Sequence, residues 1–166
     1  MSTFQTIVAA TDFSDTAGDA VDTALWLART TGARLHLLHV VPDPMHEPWM
    51  VKTVGLDFEA LQQAWIDESR HGLQKQLAAR QVVPNEVVTA VVVGSPATKI
   101  AEYAVDHRAD LIVVGTHGWG TVRRFLMGSV AEKLLRVAGA PVMIVPHRVL
   151  RTGDPHELAA AVSALG

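Results

Sequence analysis

Short runs rich in β-branched residues alternate with amphipathic runs along almost the whole chain, and no other feature restricts the fold as strongly. TIVAAT at 6–11, ARLHLLHVV at 33–41, EVVTAVVVG at 86–94, ADLIVVG at 109–115 and APVMIVP at 140–146 are each bounded by turn residues. They read as five strands. At least three are apolar on both faces, as parallel strands buried between two helical layers must be. Between the first two, Ala17, Ala20, Val21, Ala24, Leu25 and Ala28 recur at helical spacing. Phe58, Leu61, Trp65, Leu73 and Leu77 mark a longer second helix, in which Gly72 costs roughly 1 kcal/mol relative to alanine. Ser95 and Pro96 open a third helix through Ile100 and Ala104. Ser129 with Glu132 fits a capping box, so the fourth is expected to start at Ser129 and to end at Gly139, before Pro141. Strand and helix in strict alternation predict an α/β domain: an open parallel five-stranded sheet with right-handed crossovers and helices on both faces, a Rossmann-like architecture.

Two segments fall outside the alternation. The stretch 41–56 carries Pro42, Pro44 and Pro48 and is expected to be irregular, either a functional loop or a plain connection. The chain therefore divides into a domain at 1–147 and a C-terminal tail at 148–166, whose last part reads as a short helix that Asp154 would cap.

Composition removes several classes of function. With 166 residues the chain suits one domain with a sizeable core. No cysteine is present, which excludes a disulfide scaffold, thiol catalysis and Cys-ligated metal. The net charge of −3, without a basic stripe, gives no encouragement to nucleic-acid binding. No apolar run approaches the ~18 residues of a membrane span and no secretory leader is visible, so a soluble cytoplasmic protein is expected. His36 and His39, three apart on a strand, point to opposite faces and cannot chelate one ion.

The glycines at 115–128 carry the functional signal. In an open parallel sheet the ligand crevice lies beyond the carboxyl ends of the strands, where the strand order reverses. Gly115 ends the fourth strand there, Gly118 follows in the loop, and Gly128 and Ser129 stand at the mouth of the fourth helix, where free amides and the helix dipole favour an anion. The combination points to phosphate. A P-loop is excluded because Met127-Gly128-Ser129 has no lysine, and a dinucleotide fingerprint because Arg123 stands where its third glycine belongs. Each residue also has a plainer use. Gly115 and Gly118 permit turns, Ser129 caps a helix, and Asp12 caps the first helix together with Ser14. His117, Trp119, Arg123 and Arg124 in the same loop are either ligand contacts or ordinary loop residues.

The chain resembles the universal stress protein family, specifically its ATP-binding branch. The resemblance rests on Gly115, two residues, Gly118, nine residues, then Gly128 and Ser129, with VAATDFSD at 8–15, ADLIVVGTHG at 109–118 and GSVAEKLLRVAGAPVMIV at 128–145. It implies the strand order 3-2-1-4-5, which composition alone does not supply. It implies that Asp12, Val40, Val114, Gly115 and Gly118 line the adenine and ribose side, and that Gly128, Ser129 and Val130 hold phosphates. The implied ligand is ATP, AMP or another adenine nucleotide, with Mg as an optional companion ion. Ala131 stands where many members carry a hydroxyl, which removes one phosphate or metal contact. The resemblance further implies a homodimer built by antiparallel pairing of the fifth strands, with Met143 and Val145 in that edge. No P-loop lysine, kinase signature or general base beyond Asp12 is present, so a stress-response regulator with at most slow ATP hydrolysis is expected, against a nucleotide-free dimeric module or a Mg-dependent hydrolase.

Overall fold

The computed structural model describes residues 4–43, 57–83, 85–116 and 128–147. The element order is β1 (Thr6–Ala10), α1 (Asp15–Thr31), β2 (Arg34–Val41), α2 (Phe58–Ala78), β3 (Val87–Val93), α3 (Pro96–Asp106), β4 (Leu111–Gly115), α4 (Ser129–Val137) and β5 (Val142–Val145). All four strand pairings are parallel, and the order across the sheet is β3-β2-β1-β4-β5. The expected alternation and the order implied by the resemblance are both present.

The helices form for local reasons that the chain displays. Ser14 caps α1 by accepting from the Ala17 amide at 3.2 Å, and Gly32 closes it in the left-handed region (φ 74°), its N–H reaching the Ala28 carbonyl at 2.8 Å. The six residues buried by α1 are Ala17, Ala20, Val21, Ala24, Leu25 and Ala28, mostly small, so this helix lies close against the sheet. Asp57 caps α2 through a 3.0 Å bond from the Ala60 amide. Ser95 is the N-cap of α3 with Pro96 inside the first turn, but its hydroxyl makes no capping bond.

At α4 the structure departs from expectation. Gly128 is the N-cap and Ser129 the first helical residue, and the Glu132 carboxylate pairs with Arg136 instead of reaching back. No capping box forms. The helix also stops earlier, at Val137, with Ala138 already extended.

Two cores flank the sheet. Ile7, Ala9, Leu35, Leu37 and Val113 pack against α1 and the Leu73 side of α2, whereas Val8, Leu38, Val40, Ile112 and Val114 pack against Ile100 and Ala104 of α3 and Ala131 and Leu134 of α4. Successive strand residues alternate between these cores. β1, β2 and β4 are accordingly the three strands buried on both faces, and β3 and β5 are the edges. His36 and His39 obey the same rule. His36 turns to α3, its Nδ1 3.0 Å from the Tyr103 hydroxyl, while His39 turns to the other face and stacks on Phe13. Among the described residues, no helix is long and apolar enough to cross a membrane.

Candidate functional site

β1 ends before both of its neighbours in the register of the sheet, and that difference makes a notch. Ala10 is level with Leu38 of β2 and Ala9 with Val113 of β4, so β2 continues through Val40 and Val41, and β4 through Gly115, past the end of β1. The chain leaves β1 under a bond from the Thr11 amide to the Leu38 carbonyl at 2.9 Å. Asp12 follows at once, half-buried at the mouth of the notch. This is the reversal point of the strand order, with β2 on one side and β4 on the other.

Asp12 performs the plainer of its two expected tasks indirectly. Ser14, not Asp12, caps α1. Asp12 Oδ1 accepts from the Ser14 amide at 3.0 Å and also from the Ser14 hydroxyl, which fixes the capping oxygen toward Ala17. Its charge is close enough to favour protonation of His39. The carboxylate is therefore held in place at the crevice by the turn it stabilises.

Val40 (9% exposed) and Val114 (4%) belong to the core beneath α3 and α4 and form an apolar wall below the strand ends. Gly115 has a structural requirement of its own. A Cβ there would stand 2.9 Å from the Thr16 carbonyl oxygen and 3.0 Å from Thr16 Cγ2, so the first turn of α1 occupies the space a side chain would need. The missing side chain at 115 lets α1 approach β4.

The mouth of α4 is stitched to the same place. The Thr116 amide donates to the Val145 carbonyl at 3.0 Å, and the Gly128 amide donates to the Thr116 carbonyl. Residues 116 and 128 are thereby joined to each other. One consequence is that the Gly128 N–H is already used. The amides of Ser129, Val130 and Ala131 are those of the first turn, which no intrahelical carbonyl can reach, and among the described residues no side chain caps them. Ser129 is exposed and Val130 half-buried. Ala131 is 2% exposed within the α3/α4 core, so its methyl group serves packing. Gly118 lies outside the described residues, as do His117, Trp119, Arg123, Arg124, the segment 44–56 and the tail from 148 onward.

Sequence reasoning overlooked Thr116, whose part is played by its backbone alone and leaves no mark on residue type. It also overlooked Thr16, the reason for glycine at 115. The Asp57 cap was readable, since an aspartate stands directly before the apolar period of α2.

Comparison with known proteins agrees with this architecture. The sequence model of the universal stress protein family matches residues 3–146. A universal stress protein of Thermus aquaticus is 33% identical over 145 residues, covering 86% of this chain and 98% of the relative. Universal stress protein UspA from Lactobacillus plantarum superimposes with a TM-score of 0.69 at 28% identity, covering 85% of this chain and 97% of that one. A universal stress protein solved in complex with cAMP gives a TM-score of 0.58 at 27% identity, covering 87% and 98%. The match over nearly the whole chain, on a sheet of the order described above, makes this protein a member of the universal stress protein family.

Proposed function

We propose that the chain binds an adenine nucleotide, with ATP as the first ligand to test, and that binding biases its conformation or assembly in a stress response. The observation that carries this reading is the notch itself. An apolar wall of Val40 and Val114, a positioned carboxylate at Asp12 and the uncapped first turn of α4 converge on the carboxyl end of β1. A base suits the apolar wall, ribose hydroxyls suit the carboxylate, and phosphate suits the amides of Ser129 and Val130. The cAMP complex of a similar protein supports the same ligand class. Gly115, Gly118 and Gly128 enter this reading as positions that shape the cradle, and Mg would share Asp12 with the ribose.

One feature favours a second reading within the same class. The Gly128 amide is committed to Thr116, and Ala131 brings no hydroxyl, so fewer donors face a triphosphate than the motif suggests. AMP or cAMP would then bind at least as well as ATP. Calorimetric titration with ATP, AMP and cAMP, after mass spectrometry of the denatured protein for retained nucleotide, separates these ligands. Absence of binding by all three would overturn the proposal. Regulation without catalysis predicts no Mg-dependent turnover above a buffer blank.

The chain is also proposed to pair with a second copy through β5. This strand is a sheet edge, and Met143 is exposed at 36%, whereas Val145, on the same face of the strand, is buried against α1. Met143→Asp is expected to convert a dimer to a monomer in sedimentation velocity. An unchanged dimer would place the interface elsewhere.

A further inference from the structure

A cavity of about 320 Å³ lies on the α1/α2 side of the sheet, lined by Phe13, His39, Val41, Trp65, Glu68 and Ser69. It is separate from the wall formed by Val40. Leu35 and Leu37 of β2 face the core under α1, and His39 and Val41 continue that face, whereas Leu38 and Val40 face α3 and α4.

The cavity is built at some conformational cost. Phe13 has φ 65°, a region that bulky side chains rarely enter, and its amide is held there by Thr11 Oγ1 at 3.0 Å. This conformation lays its ring against His39, with centroids 4.4 Å apart and planes at 28°. On α2, Gly72 makes room for the ring, since a Cβ would stand 2.9 Å from Phe13 Cζ. The helix penalty noted for Gly72 thus has a local return.

The polar groups around the cavity share one character. His39 Nδ1 lies 2.8 Å from the Thr11 carbonyl, which only accepts, so Nδ1 carries the hydrogen and Nε2 is left as an acceptor on the neutral ring. Ser69 spends its hydroxyl hydrogen on the Trp65 carbonyl at 2.6 Å, leaving oxygen lone pairs. Glu68 contributes a carboxylate. Apart from the indole N–H of Trp65, the side chains offer acceptors and aromatic faces. Such a lining complements a flat ring that carries N–H donors or a cationic nitrogen. The volume falls at the small end of ligand pockets and suits one or two rings.

We propose that this cavity is a second binding site, taking a compact planar aromatic ligand with a cationic or N–H-donating nitrogen. The proposal does not depend on the nucleotide reading. Its test is the amide and indole NMR spectrum of the full chain titrated with benzamidine, with benzoate as a control of the same shape and opposite charge, each with and without saturating AMP. Benzamidine is expected to shift the Trp65 indole and Gly72 amide signals and to saturate on the order of 1 mM. Benzoate should leave them in place, AMP should leave the benzamidine affinity unchanged, and Glu68→Gln, at an exposed helix position, should weaken it about tenfold. Equal shifts with benzoate, no shift with benzamidine, or an unaltered affinity in Glu68→Gln would overturn the site. Displacement of benzamidine by AMP would also overturn it, while leaving nucleotide binding itself standing.

Discussion

Gly115 separates what a motif suggests from what a structure requires. The glycine spacing that resembles a nucleotide cradle is real, yet at this position the nearest obstruction to a Cβ is the Thr16 backbone of the protein's own α1. Backbone cannot yield as a flexible side-chain tip can. Gly115→Ala is therefore expected to destabilise the ligand-free protein by about 1–3 kcal/mol, through overpacking between α1 and β4. For a chain of this size that lowers the melting temperature by roughly 2–4 °C for each kcal/mol. A melt of the ligand-free variant that overlays the parent would show that the contact with Thr16 is slack. Asp12 teaches a related lesson. Its sequence position allowed capping or ligand contact, and it supports the Ser14 cap while remaining at the crevice.

At the scale of elements, α4 is the part whose local sequence was misleading. Ser129 and Glu132 have the spacing of a capping box, but the N-cap is Gly128, whose amide bonds to Thr116, and Glu132 turns to Arg136. A long-range backbone contact outweighed a local signal. The buried stripe of α1 was legible because helical period and burial coincide at all six positions. The uncapped first turn of α4 yields a prediction with two opposite signs. Ser129→Asp places a carboxylate at the positive end of the helix, which should stabilise the ligand-free protein by about 0.3–1 kcal/mol. The same carboxylate would repel phosphate, so nucleotide affinity should fall by about tenfold or more. Urea unfolding and calorimetry on one variant check both signs. Stabilisation with unchanged affinity would remove phosphate from this helix end.

For the whole molecule, five alternations of strand and helix made the α/β class readable, whereas the order 3-2-1-4-5 came from resemblance, because no residue pattern says which strands pair. The notch in turn depends on that order. Two imidazoles, His36 buried on one face of the sheet and His39 half-buried on the other, add a pH dependence that composition could not reveal. Burial pushes the His36 pKa down, with His107 and Arg34 adding to the shift, and burial also lowers His39 against the opposing influence of Thr11 and Asp12. Both rings are held neutral, so the unfolded chain binds more protons than the native one just below the ordinary histidine value. Stability should be fully present above about pH 6.5 and decline as pH falls from there toward the lowered native values. Urea midpoints between pH 7.5 and 5 check this, and a His36→Phe variant should show a shallower decline. A midpoint that rises on acidification through this range would contradict the assignment of neutral rings.

The central claim is that the end of β1 and the first turn of α4 form one nucleotide site. Backbone amide chemical shifts on titration with AMP and then ATP test it most directly. The account predicts the largest changes at Thr11, Asp12, Val40, Ser129, Val130 and Ala131, appearing together along one saturation curve. Saturable changes confined to other residues, or none at all at millimolar nucleotide, would contradict it.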